Sequence, residues 1–275
     1  MENVKPFLKW VGGKRQLISN LLSLLPVKFN SYYEPFLGGG ALFFALYNKG
    51  LIDKVVLSDI NEELIVTWKT IKNSASKVIV NLKELIPHNN KKDYYKVRKK
   101  DWGKLADDKV ATRMIFLNKT GFNGLYRVNK SGGFNVPFGK YKNPKICDEE
   151  NLRNVSYALQ NTEILCTSFE KIAEWVKPKD LIYFDPPYIP VSATSSFTSY
   201  TREGFTLDDQ ERLAETFSLL TDKGVYAILS NSNVEWVRNR YKDFRQIEVG
   251  ATRRINSCST KRGKVSELLI CGYSN

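Results

Sequence analysis

Short apolar, β-favouring runs recur along the chain, separated by longer amphipathic stretches. SYYEPF (31–36), KVVLSDI (54–60), TEILCTS (162–168), DLIYFDPP (180–187), GVYAILSNS (224–232), FRQIEVG (244–250) and VSELLICGY (265–273) read as strands. Helices are expected from the GGG turn to about Asn48, over 61–73 with Asn61 as N-cap, and at about 149–160, 169–176 and 207–223. This alternation predicts an α/β fold: a mostly parallel seven-stranded sheet with helices on both faces.

Residues 74–145 break the alternation. They read as helical to about 118, with Lys and Arg frequent. GLYRVN, the turn KSGG and FNVPFG then form a hairpin signature. Pro137 in its second arm predicts an edge strand or exposed ribbon. The organisation expected is a catalytic domain of residues 1–60 and 146–275, interrupted by an insertion at 61–145 with a hairpin at about 120–142. SATSSFTSYT (192–201) reads as a mobile loop.

Composition narrows the class. The 275 residues suffice for a large core, and the apolar content is 42%. No apolar run approaches the roughly 18 residues of a membrane span, and the N-terminus has no signal-type stretch, so a cytoplasmic protein is expected. The net charge is +13. A polyanionic partner, nucleic acid first, accounts for that bias; a generally basic solvated surface is the competing reading. The cysteines Cys147, Cys166, Cys258 and Cys271 lack metal-ligand spacing, and Cys166 and Cys271 read as reduced core residues. A single histidine, His88 in a polar stretch, argues against Ser-His-Asp chemistry, His-rich zinc sites and zinc deaminases. No metal is expected.

Two stretches carry chemistry. EPFLGGG (34–40) ends a strand and opens a helix, where glycines let backbone approach a ligand. A triple glycine alone is equally a tight turn. Asp59 ends the next strand 21 residues after Gly38, the spacing at which an acid meets ribose hydroxyls; its competing reading is a helix cap. Residues 38–43 are GGGALF rather than GxGxxG, which favours a single nucleoside over a dinucleotide. KWVGGKRQL (9–17) lacks the Ser or Thr that a phosphate loop needs after Lys14. In DPPY, Asp185 follows a strand, Pro186 and Pro187 stiffen the turn and offer only carbonyls, and Tyr188 offers a flat face. Such acceptors beside a stacking surface suit a planar substrate with an amino group.

FLKWVGGK, EPFLGGG, LSDIN, GFNGLYR, FNVPFGKYK and DPPY, in this order, resemble the Dam/DpnII-type DNA adenine-N6 methyltransferases from about Pro6 to Gly272. DPPY alone is moderately specific; the ordered set is highly specific. The resemblance implies a Rossmann-like S-adenosylmethionine-dependent methyltransferase fold and a target-recognition insertion. It implies adenine methylation within GATC of double-stranded DNA by base flipping, in an enzyme of bacterial or phage origin. A cognate restriction endonuclease as functional counterpart stays open.

Carried over by position, Trp10, Lys14, Glu34, Pro35, Phe36, Gly38, Gly39 and Gly40 would border the methionine part of S-adenosylmethionine. Asp59 would bind its ribose, and Phe169 would flank its adenine. Asp185 and the Pro186 carbonyl would hold the target amine, with Pro187 completing the turn and Tyr188 stacked on the base. Lys9 and Arg127 would read guanines, and Leu125 and Pro137 thymine methyls. Phe122, where some relatives have Tyr, would wedge into the stack beside Asn123, and Tyr141 and Lys142 would grip phosphate. Arg253, Arg254, Lys261 and Arg262 in TRRINSCSTKRGK (252–264) would also grip phosphate, and the 192–201 loop would close over the flipped base. Rival readings are amino methylation of RNA or of protein glutamine, and a DNA-binding relative without activity. The missing GxGxxG disfavours a dehydrogenase.

Overall fold

The computed structural model describes residues 3–10, 14, 17–190, 204–252 and 264–274. Their centre is a seven-stranded sheet in the order β3-β2-β1-β4-β5-β7-β6. The strands are β1 (Tyr32–Glu34), β2 (Val55–Asp59), β3 (Thr162–Cys166), β4 (Leu181–Phe184), β5 (Tyr226–Ser232), β6 (Arg245–Thr252) and β7 (Lys264–Cys271). The pairs β1/β2, β1/β4, β2/β3 and β4/β5 are parallel, whereas β7 runs antiparallel to both β5 and β6. Each strand expected from the apolar runs is present within a few residues of its expected ends.

Successive residues of a strand face opposite sides of a sheet. Tyr32, Leu57, Leu181, Tyr183, Ile228 and Leu269 accordingly enter one apolar core. Tyr33, Ile182, Phe184, Leu229, Leu268 and Ile270 enter the other. The first core also takes α1 (Ile18–Ser23), α2 (Ala41–Asn48) and α3 (Glu62–Leu85); the second takes α7 (Phe169–Ala173) and α8 (Leu207–Asp222). Burial on both faces explains why these strands read as continuous apolar runs. None of the helices is long and apolar enough to cross a membrane, among the described residues.

Asn61 caps α3 as expected, its Oδ1 accepting from Leu64 N at 3.0 Å. Glu62 and Glu63 in the first turn complement the helix dipole. The helix breaks at Ser74 (φ −147°, ψ 35°), one residue past the expected end, and then continues to Leu85. Next come α4 (Lys91–Arg98), α5 (Asp107–Thr120) and an arm at 120–142, and then α6 (Glu149–Ala158). Two six-residue helices, α1 and α9 (Glu235–Arg240), were not expected; at that length neither shows a readable periodicity.

Two expectations need correction. The 120–142 ribbon is no regular β-hairpin: it has the isolated bridges Gly121↔Phe138 and Val128↔Phe134 in place of a ladder. Asn123 at φ 55° interrupts the first arm, and Pro137 has no N–H to donate from the second. Cys166 is exposed and not a core residue, because it is the last residue of β3, the strand at the edge of the sheet. Cys271 is buried as expected.

The arm is held by polar groups at its base. Tyr94 Oη and Arg98 Nη1 both donate to the Val136 carbonyl, at 2.9 and 3.2 Å. Tyr126 Oη donates to Glu63 Oε2 at 2.9 Å, and the same buried carboxylate pairs with Arg113. Arg113 and Glu63 are 4% and 2% exposed, so either charge left alone lacks water to solvate it. Arg113→Ala is therefore expected to cost about 3–5 kcal/mol in urea unfolding. Adding Glu63→Gln should recover part of that loss.

Candidate active site

In open parallel sheets, ligands bind beyond the strand C-termini where the strand order reverses. Here the chain proceeds from β1 outward to β2 and β3, then returns to β4 and moves outward the other way to β5. The reversal lies between the paired strands β1 and β4, with Tyr32 opposite Leu181. EPFLGGG leaves the end of β1 and DPPY leaves the end of β4, so the two motifs are neighbours.

Backbone geometry and packing both demand glycine after β1. Gly38 and Gly40 have φ of 45° and 63°. A Cβ on Gly38 would lie 2.6 Å from Trp10 Cδ1, and one on Gly40 would lie 2.7 Å from Trp68 Cη2. Trp68 Nε1 donates to the Gly38 carbonyl at 3.2 Å. Asp59 ties this turn to β2: its Oδ2 accepts from Gly38 N and its Oδ1 from Asn61 N, each at 3.0 Å. Asn61, not Asp59, supplies the side-chain cap of α3, which removes the cap reading of Asp59. Burial pushes the Asp59 carboxyl up, and the Asn61 and Gly38 N–H groups pull it back.

Glu34 is buried, and its Oε2 accepts from Tyr32 Oη at 2.7 Å and from Phe43 N at 3.2 Å. Phe43 is in the first turn of α2, whose N-cap Gly40 has no side chain to offer. Glu34 thus takes the place of a cap. Pro35 is buried, and Phe36 stacks on the buried Phe169 at 5.6 Å between centroids.

The DPPY turn is clamped from several strands. Asp185 Oδ1 accepts from Ser230 Oγ of β5 at 2.9 Å, and Ser230 also meets Tyr183 Oη at 2.9 Å. The Pro187 carbonyl accepts from Gln210 Nε2 at 2.8 Å, and Gln210 is held by Asn231, which also accepts from Ile189 N. Tyr188 Oη donates to Glu267 Oε2 of β7 at 2.7 Å. Lys14, expected with residues 34–40 to border the methionine part of the cofactor, reaches into this turn. Its Nζ is 2.9 Å from Asp185 Oδ1, 3.8 Å from Glu267 Oε2 and 4.2 Å from the Tyr188 ring centroid. Burial pushes the Asp185 carboxyl up, while Lys14 and Ser230 pull it down and Glu267 adds to the rise.

The 120–142 arm meets the glycine turn through residues 9 and 10. Asn118 bonds both the N–H and the carbonyl of Lys9, and also the Gly124 carbonyl. Trp10 packs on Gly38 and stacks on Tyr126 at 5.3 Å. Phe122 is 48% exposed, and Asn123 N donates to Tyr141 Oη at 2.9 Å. Lys9 Nζ is 5.2 Å from the Tyr141 ring centroid. Arg127, Pro137 and Lys142 are exposed and Leu125 half-buried; Arg127 Nε donates to Asn135 Oδ1 at 2.6 Å. Arg253, Arg254, Lys261, Arg262 and the 192–201 loop lie outside the described residues.

Sequence reasoning missed Ser230, Asn231, Gln210 and Glu267. A signal existed for three of them: Ser230, Asn231 and Ser232 are a buried polar run ending an apolar strand, and Glu267 interrupts another such run. Gln210 has no such mark on its amphipathic helix. No group of three or more His, Cys, Asp or Glu that could hold a metal is present among the described residues.

A glycine turn and an acid-Pro-Pro-Tyr acceptor set, joined at the switch point of this sheet, define an amino methyltransferase. The chain belongs to the D12 class N6 adenine-specific DNA methyltransferase family, whose model matches residues 10–255. It transfers a methyl group from S-adenosylmethionine to N6 of adenine in DNA. It is 43% identical to the type II methyltransferase M1.LlaDCHI of Lactococcus lactis subsp. cremoris, over 99% of this chain and 97% of that one. It is 47% identical to the type II methyltransferase M.MjaIII of Methanocaldococcus jannaschii, over 98% and 99%. It is 34% identical to the DNA adenine methylase of Escherichia coli, over 98% and 95%.

Burial pushes the Glu34 carboxyl from 4.5 to about 8, with the bonds from Tyr32 and Phe43 countering only in part. Between those values the folded chain keeps a proton that the unfolded chain has released. Folding stability contributed by this group is thus lost as pH rises, by at most about 1.4 kcal/mol per pH unit. Glu34→Gln is expected to flatten the decline in urea-unfolding stability between pH 5 and pH 8.

Proposed function

We propose that the chain methylates the adenine of GATC in duplex DNA, with the target base rotated out of the helix into the pocket of Asp185 and Tyr188. The observation that carries this reading is the position of Lys14. Its nitrogen contacts the Asp185 carboxylate and lies over the Tyr188 ring, 2.9 Å from Oδ1 and 4.2 Å from the centroid. An adenine stacked on Tyr188 with its amine on Asp185 makes the same pair of contacts. A base within a stacked duplex cannot reach this turn, so it has to leave the stack.

In this mechanism Asp185 and the Pro186 carbonyl accept the two amine N–H bonds. Those bonds draw the nitrogen lone pair out of conjugation with the ring and aim it at the donor. Ser230 holds Asp185, Gln210 holds Pro187, and Tyr188 supports the face of the base. The Asp185 carboxylate is placed to take the proton that the methylated nitrogen sheds. Positioning dominates, because charge disappears as the reaction proceeds. S-adenosylmethionine supplies an electrophilic methyl on a positively charged sulfur.

The residues present suit that donor. Each Asp59 oxygen accepts one backbone N–H in the structure and retains a second lone pair for a ribose hydroxyl. The Gly38–Gly40 turn, packed against Trp10 and Trp68, borders its methionine part, and neighbouring Phe36 and Phe169 are the aromatic surfaces for its adenine. Glu34 supports the turn from the protein interior, and Trp10 lies against its outer face.

On the DNA side, Arg127 and Lys9 read guanines, Leu125 and Pro137 contact thymine methyls, and Phe122 fills the gap left by the flipped base, with Asn123 beside it. Tyr141, Lys142, Arg253, Arg254, Lys261 and Arg262 neutralise phosphate, in keeping with the +13 charge. The enzyme acts in the cytoplasm. Its higher identity to relatives named type II methyltransferases supports a cognate restriction endonuclease as its functional counterpart.

Plasmid treated with the enzyme should resist endonucleases blocked by methylated GATC and remain cut by those that are not; unprotected plasmid would overturn the specificity. Asp185→Ala should abolish methyl transfer in a tritium assay while DNA binding persists. Arg127→Ala should lose about 1–3 kcal/mol of discrimination at one guanine, seen as more equal turnover on GATC and its singly substituted variants.

A further inference from the structure

We propose that Glu267 is a positioning residue of the methyl-transfer pocket, one that orients the Tyr188 ring and receives the Lys14 ammonium when a substrate amine displaces it. The proposal rests on the pocket assignment above. Glu267 belongs to neither motif. It comes from β7, opposite Ser232 of β5, and reaches the turn only because the antiparallel strand lies beside β5.

Tyr188 has to present a flat face in one orientation. Its backbone neighbours are fixed: Gln210 holds the Pro187 carbonyl and Asn231 holds the Ile189 N–H. Those bonds leave the side-chain torsions free. The Tyr188 hydroxyl is the remaining handle, and Glu267 Oε2 holds it at 2.7 Å.

Lys14 supplies the second half of the argument. It is 5% exposed, so its ammonium cannot leave Asp185 for water without a larger movement. A buried charge without a partner is strongly unfavourable. Glu267 Oε2 is 3.8 Å from Lys14 Nζ, against 2.9 Å for Asp185 Oδ1. A shift of roughly 1 Å completes an ion pair with Glu267 at ordinary charge-assisted distance. That shift weakens the hold on Asp185 while the ammonium keeps a counter-charge.

The test uses the full-length enzyme, S-adenosylmethionine and two duplexes: one with adenine at the target position, for turnover, and one with 2-aminopurine there, whose fluorescence reports the flipped base and its stacking. Glu267→Ala should lower kcat by about 10- to 100-fold, the loss of a hydrogen bond to a charged acceptor, and change the 2-aminopurine signal. KM for S-adenosylmethionine should stay within about twofold, because residues 34–40 and 59 are untouched. Tyr188→Phe should change the fluorescence in the same sense, and the double variant should be no worse than Glu267→Ala alone. Glu267→Gln keeps an acceptor for the hydroxyl and removes the charge. It should restore the stacking signal while kcat stays below wild type.

Wild-type kcat in Glu267→Ala, additive losses in the double variant, or no fluorescence rescue by Gln would overturn the proposal. Asp185→Ala run alongside separates the two failures. If it is inactive while Glu267→Ala behaves as wild type, the role of Glu267 fails and the pocket stands. If Asp185→Ala retains turnover, the pocket assignment itself fails.

Discussion

The active site depends on a reversal of strand order between two hydrogen-bonded parallel strands. β1 and β4 lie side by side, yet the chain leaves them toward opposite edges of the sheet. Among the described residues no crossover covers the crevice at their C-terminal ends, and both turns open into it. The glycine turn and the DPPY turn, about 150 residues apart in sequence, become neighbours by topology alone. A third strand, β5, reaches the same level and contributes Ser230 and Asn231, and the antiparallel β7 adds Glu267. Each strand contributes polar groups at the end where it leaves its apolar neighbours.

Charges in this crevice are arranged for a low-dielectric setting. Lys14 lies between two carboxylates, Asp185 and Glu267, and over an aromatic face. Burial raises the Asp185 carboxyl, and the lysine and a serine hydroxyl oppose that rise. Glu34, more deeply buried and without a cation, is pushed up to about 8 and so carries its proton at neutral pH. Of these two acids at the ends of adjacent strands, one has a counter-ion that opposes the effect of burial and the other does not. Glu63 and Arg113 apply the same logic farther along the chain, where a buried ion pair anchors Tyr126 and, through it, the base of the 120–142 arm.

The arm and the glycine turn are mechanically joined. Trp10 packs against Gly38 on one side and stacks on Tyr126 on the other, and Asn118 binds residue 9 to the arm at Gly124. Lys9 and Trp10 are therefore a strut between the glycine turn and the arm. The backbone groups of Lys9 that a strand would pair are bonded by the Asn118 side chain instead.

Patterning by itself determined the strands, most of the helices and the two motifs, because burial on both faces writes continuous apolar runs and a strained turn demands glycine or proline. Even the break at Ser74 was visible as the expected end of a helix. The ribbon at 120–142 was expected as a regular hairpin; Pro137 and the left-handed Asn123 leave it only isolated bridges. Cys166 was misread because an apolar run does not say whether its strand lies at the edge of the sheet. Lys14 was legible as part of a motif but not as the partner of Asp185, and Glu267 was an unremarked acid in a strand. Which charges meet depends on sheet order and on strand direction, and both are set by long-range packing that no local run of residues encodes.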